Sequence, residues 1–301
     1  MTDHRQSPAD VGREWLDYAA ERKRAGRAAQ LASDYERQMA LPPESMRPFR
    51  ERMANLHRRM EARHLACARL HRLHALRLQR WHADGASGLR PLFMAAVSER
   101  LRTDDASIAL FDDRNQELVF AVSGPTARAA HDLELTHGEG PARDVLHRTG
   151  PVVTAGGDML RRWPRFGAAV TALDVRAVVA VPLLQSSRCL GALCGFAVGH
   201  RLDTRAEEQA YLVGDALAHT VLLAGEELDP GSVPGDMALS GSLFEDADYL
   251  STVNQAVGII VAQYGCAIDS AFALLRARAF SDDQPVTEVA RRMVQDAQRL
   301  S

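Results

Sequence analysis

Gln255-Ala256-Val257-Gly258-Ile259-Ile260-Val261, then Ser270-Ala271-Phe272-Ala273-Leu274-Leu275-Arg276, then Val286-Thr287-Glu288-Val289-Ala290: these segments decide how the C-terminal part of the chain folds. At about 3.6 residues per turn, Val253, Ala256, Val257, Ile260 and Val261 share one side of a helix. Ala271, Leu274 and Leu275 form a second stripe, and Val286, Val289, Ala290, Met293 and Val294 a third. Tyr264-Gly265-Cys266 ends the first helix, and Ser281-Asp282-Asp283-Gln284-Pro285 separates the second from the third. Asp269 and Asp283 stand near helix starts as candidate caps. The pattern predicts a bundle of three short helices.

These residues resemble the ANTAR family, the RNA-binding output domain of bacterial antiterminators. The resemblance is carried by Ala256-Val257-Gly258 on the first helix, Ala271-Phe272 with Leu275-Arg276 on the second, and Val286 through Ala290 on the third. It implies RNA contact through Gln255, Ala256, Gly258 and Arg276, with a leader transcript carrying paired hairpins as the target. Val257 stands where the family has a lysine, the natural phosphate contact. From Asp246 onward five arginines face seven acidic residues, so this end of the chain is slightly acidic.

Upstream, helix and strand signals alternate. Leu92 to Leu101 reads as an entry helix, and Ser107-Ile108-Ala109-Leu110-Phe111 and Glu117-Leu118-Val119-Phe120-Ala121-Val122 as a hairpin around Asp112-Asp113-Arg114-Asn115. A second strand pair spans Ala177 to Leu184 and Leu190 to Val198, turning at Gln185-Ser186-Ser187-Arg188, and a helix from about Thr204 to Leu223 closes the unit. Links this short make the strands antiparallel.

Gly138-Glu139-Gly140-Pro141, Arg162-Trp163-Pro164-Arg165-Phe166, Val175-Arg176-Ala177, Val181-Pro182-Leu183 and Leu190-Gly191-Ala192-Leu193 occur here in the order of a GAF domain. This region resembles the GAF domains that precede ANTAR in actinobacterial regulators. The resemblance implies a hollow for a small ligand, with Gly140, Trp163, Phe166, Val179 and Phe196 as candidate lining residues. The helix opening at Pro141 would point its amides toward an anionic ligand. A Trp and a Phe beside Pro more often serve as plugs of the domain's own core.

The first 82 residues carry 17 Lys and Arg against 10 Asp and Glu, a surplus of seven positive charges. Trp15 to Met39 reads as one helix, Leu41-Pro42-Pro43-Glu44 stops it, and a second helix runs to about His82. Met46, Phe49, Met53, Leu56, Met60, Cys67, Leu70 and Trp81 recur at alternating three-four spacing, which suits either a coiled-coil homodimer or packing on the chain itself. His57, His64 and His71 recur every seven residues. Ligands seven apart on a helix are about 10 Å apart, so they need partners from elsewhere, and no metal site is read from the sequence.

A chain of 301 residues that is 46% hydrophobic predicts an α+β protein of several domains. The expected bounds are a helical arm at 1–87, a GAF sensor at 88–224, a flexible Gly-, Ser- and Pro-rich linker at 225–244, and the ANTAR bundle at 245–301. No segment reads as a signal peptide or a membrane span, so the expected location is cytoplasmic. Cys67, Cys189, Cys194 and Cys266 have no ligand spacing and read as reduced structural thiols. Phosphate-loop, zinc-hydrolase and nucleophile-elbow motifs are absent, and the acidic residues fall in turns and helix starts, so neither catalysis nor a cofactor is expected. Two functions stay open: a signal-responsive RNA-binding antiterminator, or a dimeric regulator acting through protein contacts after loss of RNA binding.

Overall fold

The structure, a computed structural model, describes residues 9–112, 115, 117–185, 188–226, 243 and 249–300. The expected linker lies almost wholly outside the described residues, as do parts of the two hairpin turns. Within it Leu243 is described, and it is buried in the core of the sheet domain.

Helices α1 (Ala9–Gln38) and α2 (Arg47–Ala83) form a hairpin, with a short 3-10 turn at Glu44–Met46 between them. Arg50 fastens the turn by donating to the carbonyls of Gln38 (2.8 Å) and Pro42 (3.3 Å). Of the two readings of the α2 stripe, packing on its own chain accounts for Cys67 and Leu70, which are buried among α3, α8 and the sheet. Met46, Phe49 and Leu56 stay about 40% exposed.

The middle domain contains α3 (Phe93–Leu101), β1 (Asp105–Phe111), β2 (Glu117–Val122), α4 (Pro125–His137), α5 (Pro141–Arg148), β3 (Val152–Ala155), α6 (Gly157–Arg162), α7 (Pro164–Ala172), β4 (Val175–Gln185), β5 (Arg188–Val198) and α8 (Ala206–Glu226). Its five strands pair antiparallel in the order β2-β1-β5-β4-β3. One face, with Ile108, Val179, Val181 and Leu193, packs against α3 and α8. The other, with Ala109, Val178, Ala180 and Phe196, is covered by helices of the segment between β2 and β4. Both faces are therefore buried, which is why β4 and β5 read as nearly unbroken apolar runs.

Carboxylates fix the entry of successive helices. Asp105 on β1 accepts from the Thr126 amide (2.8 Å) at the start of α4. Glu134 on α4 accepts from the Arg143 amide (2.7 Å) at the start of α5, and Glu139 from the amides of Arg165 (2.6 Å) and Phe166 (3.0 Å) at the start of α7. Each supplies an acceptor to amides that the helix itself leaves unpaired.

The C-terminal bundle is α9 (Tyr249–Tyr264), α10 (Ile268–Ser281) and α11 (Val286–Leu300). Val253, Ala256, Val257, Ile260, Ala271, Leu275, Val286, Val289 and Ala290 form its core. Leu274, expected on the apolar stripe, is 46% exposed; Ala279 takes the buried place one turn beyond Leu275. The residue capping the start of α10 is Ala267, and the side chain of Asp269, a candidate cap, lies outside the described residues.

Candidate functional site

Helix α4 has two working sides. Ala127, Ala130, His131 and Glu134 face the interior of the sheet domain, where His131 Nε2 meets Glu117 Oε1 at 2.7 Å and its ring stacks on Phe120. Leu135 on the same helix is buried instead in the core of the C-terminal bundle. Thr287 Oγ1 of α11 donates to Asp132 Oδ1 at 3.0 Å. Helix α9 also lies against the edge strand β2.

Arg276 reaches the same contact. Its guanidinium lies over the Phe272 ring, 5.4 Å from the centroid, and against Gly138 at the end of α4. Gly138 adopts φ 71° there, and a methyl group on it would come within 2.9 Å of Arg276 Nη1. The glycine thus ends α4 in a left-handed conformation and leaves room for the arginine.

The four residues expected to meet RNA are therefore divided by the fold. Gln255 and Gly258 lie exposed on α9, with open space around Gly258. Arg276 is half-buried at the seat on α4. Ala256 is a correction: it is fully buried, because it points with Val253 and Ile260 into the bundle. Val257, at the family's lysine position, is 5% exposed within that same core. The remaining bundle arginines lie beside carboxylates: Arg278 and Arg292 near Asp282 (3.8 and 3.3 Å), Arg291 with Glu288, and Arg299 near Asp296 (3.9 Å). Exposed pairs of this kind contribute little and yield readily to a competing anion.

The candidate ligand pocket is nearly closed. Between Ser107, Phe120, His131, Glu134 and Phe196 a space of about 10 Å³ remains, room for about one water. Trp163 and Phe166 are buried on this side of the sheet, their rings edge-to-face at 5.6 Å, and they pack as core. Val179 is a second correction: strand alternation turns it to the opposite face, toward α3 and α8, while Val178 and Ala180 face the pocket side. Gly140 borders the pocket only through Glu134, whose Cδ would lie 2.7 Å from a methyl group there.

Glu134 also corrects the expected anion site, because its own carboxyl group occupies the start of α5. Burial raises its pKa, against the opposing pull of the Arg143 amide and side chain. A larger groove of about 740 Å³, with Arg176, Asp158, Arg201 and Asp203 of mixed charge, lies on the side of β3 and the start of α8. Burial pushes the Cys67 thiol up to about 12 and the Cys194 thiol well above its usual range, so both stay protonated.

Residues 245–294 match the family model of the ANTAR domain. No curated protein matches the chain. The GAF domain of an Acinetobacter phosphoenolpyruvate-protein phosphotransferase is similar at 20% identity, covering 51% of this chain and 98% of its own, with a TM-score of 0.32. The GAF domain of the corresponding Coxiella burnetii protein is similar at 17% identity, over 51% of this chain and 95% of its own, with a TM-score of 0.33. A free methionine-R-sulfoxide reductase from Neisseria meningitidis is 21% identical, over 52% of this chain and 90% of its own, with a TM-score of 0.31. In this chain an antiparallel five-stranded sheet domain therefore precedes a three-helix segment that matches the ANTAR domain model. Among the described residues no helix is long and apolar enough to cross a membrane.

Proposed function

We propose that this protein is a cytoplasmic, signal-responsive RNA-binding antiterminator without catalytic chemistry, working as a homodimer. A small ligand or a regulatory protein acting on the GAF domain controls whether the ANTAR bundle can engage a leader transcript with paired hairpins. The observation that carries this reading is the double use of α4. Its inner side holds His131 and Glu134 against the pocket, and its outer side seats Leu135, Asp132 and Gly138 against the bundle. A ligand large enough to open the closed pocket must displace Glu134 or the helix carrying it, and that loosens the seat on the far side.

In the seated arrangement Arg276 is engaged with α4, while Gln255 and Gly258 are free to meet RNA. Release adds the Arg276 guanidinium as a phosphate contact or stacking partner. A filter-binding titration with a two-hairpin RNA tests the proposal. Affinity should fall as salt rises, and Arg276→Glu should remove the gain in affinity that release of the bundle brings. No binding, or binding indifferent to salt, contradicts it.

A second reading, regulation through protein contacts alone, is favoured by one observation: Val257 is packed in the core where the family has a lysine. Under that reading RNA binding stays absent even when the bundle is freed from α4.

A further inference from the structure

The histidines seven apart on α2 acquire, in the fold, the partners that the sequence could not supply. His64 of α2, Glu21 of α1 and His219 of α8 come together with their ligand atoms all within 4.8 Å of one another. His64 Nδ1 is 2.7 Å from Glu21 Oε2. The His64 and His219 rings meet edge-to-face at 5.2 Å. His219 Nε2 is buried with no hydrogen-bond partner, which is unusual for an imidazole nitrogen out of reach of water.

We propose that Glu21, His64 and His219 bind a divalent transition-metal ion of the zinc class, a property independent of the RNA-binding reading. Two imidazoles and one carboxylate are the borderline donors that zinc accepts, and they do not suit magnesium or calcium, which take oxygen ligands. Tetrahedral coordination at about 2.0–2.1 Å sets donor atoms about 3.3 Å apart, so small side-chain rotations adjust the present spacing to it, and water takes the fourth position. Formation of the site exchanges the Glu21–His64 hydrogen bond for two metal bonds and gives His219 Nε2 the partner it lacks.

The surroundings suit this role. Arg24 pairs with Glu21 Oε1, while His64 meets the other oxygen, Oε2, and so Arg24 orients the carboxylate as an outer-shell partner does. Arg63, the other nearby cation, is neutralised by two hydrogen bonds to Asp215, at 2.7 and 2.8 Å. The ion would clamp three helices, tying both arms of the hairpin to the last helix of the sheet domain. One heptad along, His71 with Glu14 and Asp17 forms a neighbouring cluster, but it has one imidazole and reaches only the arm's own helices. It serves as the internal control.

The test uses the full chain, stripped with chelator and titrated with zinc alone by calorimetry, and with cobalt alone by visible absorption. One equivalent should bind, with the intense d–d bands of four-coordinate cobalt. His219→Ala, a half-buried position where folding is checked by circular dichroism, should weaken binding at least 100-fold, and Glu21→Gln should weaken it as well. Arg24→Ala should cost about 10- to 100-fold. His71→Ala should leave the affinity unchanged. No binding by the folded chain overturns the proposal, as does full affinity in His219→Ala or an equal loss in His71→Ala.

Discussion

In the α1–α2 arm the buried positions include Ala25, Ala28, Ala32 and Ala54 together with Glu14, Glu21 and His64, while Cys67 and Leu70 are buried toward the sheet domain; in the α9–α11 bundle they include Val253, Ile260, Leu275, Val286 and Val289. Alanine lets two long helices approach closely but buries little apolar area, so register in the arm is set by paired polar groups such as Glu21–His64 and Glu14–His71. The bundle has a denser apolar core but a small one, and it borrows Leu135 from α4 to complete it. One region is held in register by hydrogen bonds; the other depends on a neighbouring domain for part of its core.

The largest effect should come from Leu135→Ala, which removes a fully buried side chain at the junction and should destabilise the seated bundle by about 3 kcal/mol. Amide exchange should rise across α9–α11 while β4 and β5 stay protected. Equal loosening of the sheet would break the comparison. Next, Glu21→Gln in metal-free protein should cost about 2 kcal/mol by leaving His64 with a weaker partner, read from a denaturant midpoint. A change below about 0.5 kcal/mol would mean that the alanine seam alone sets the arm.

A smaller effect is expected with pH. Burial opposes the charge on His71, yet the hydrogen bond and charge of Glu14, with Asp17 and Glu21, hold its pKa above the usual value. A histidine raised on folding stabilises fully below its free pKa of about 6.5, and that contribution is lost as pH climbs through the folded value. The thermal midpoint of the arm should therefore fall as pH rises through this window, and His71→Gln should flatten the dependence. Smallest of all, Arg291→Gln breaks an exposed pair with Glu288 and should change stability by less than about 0.5 kcal/mol.

How legible these features were in the sequence follows from their physics. The bundle helices, the long arm helices and four strands announce themselves through periodicity or through runs of Val, Leu and Ala. Strand β3 and helices α6 and α7 do not, because each is short, and the 13-residue α4 does not because its residues show no sustained apolar period. The face of Val179 is not legible in the sequence, because a strand buried on both sides shows no alternation. Ala256 stands two residues before the exposed Gly258 in one motif, and only the helix register separates the two. The seat on α4 joins residues 132–138 to residues 276–287, a pairing that no local pattern encodes.

The central claim is that α4 holds the ANTAR bundle so that Arg276 is occupied. It is tested most directly by comparing the RNA affinity of the full chain with that of Leu135→Ala across a salt series, using one two-hairpin RNA. The account predicts tighter binding by Leu135→Ala, by about tenfold or more, with the salt slope steeper by about one phosphate contact, and loss of that gain when Arg276→Glu is added. Equal affinity and equal slope in the folded wild type and Leu135→Ala would contradict it.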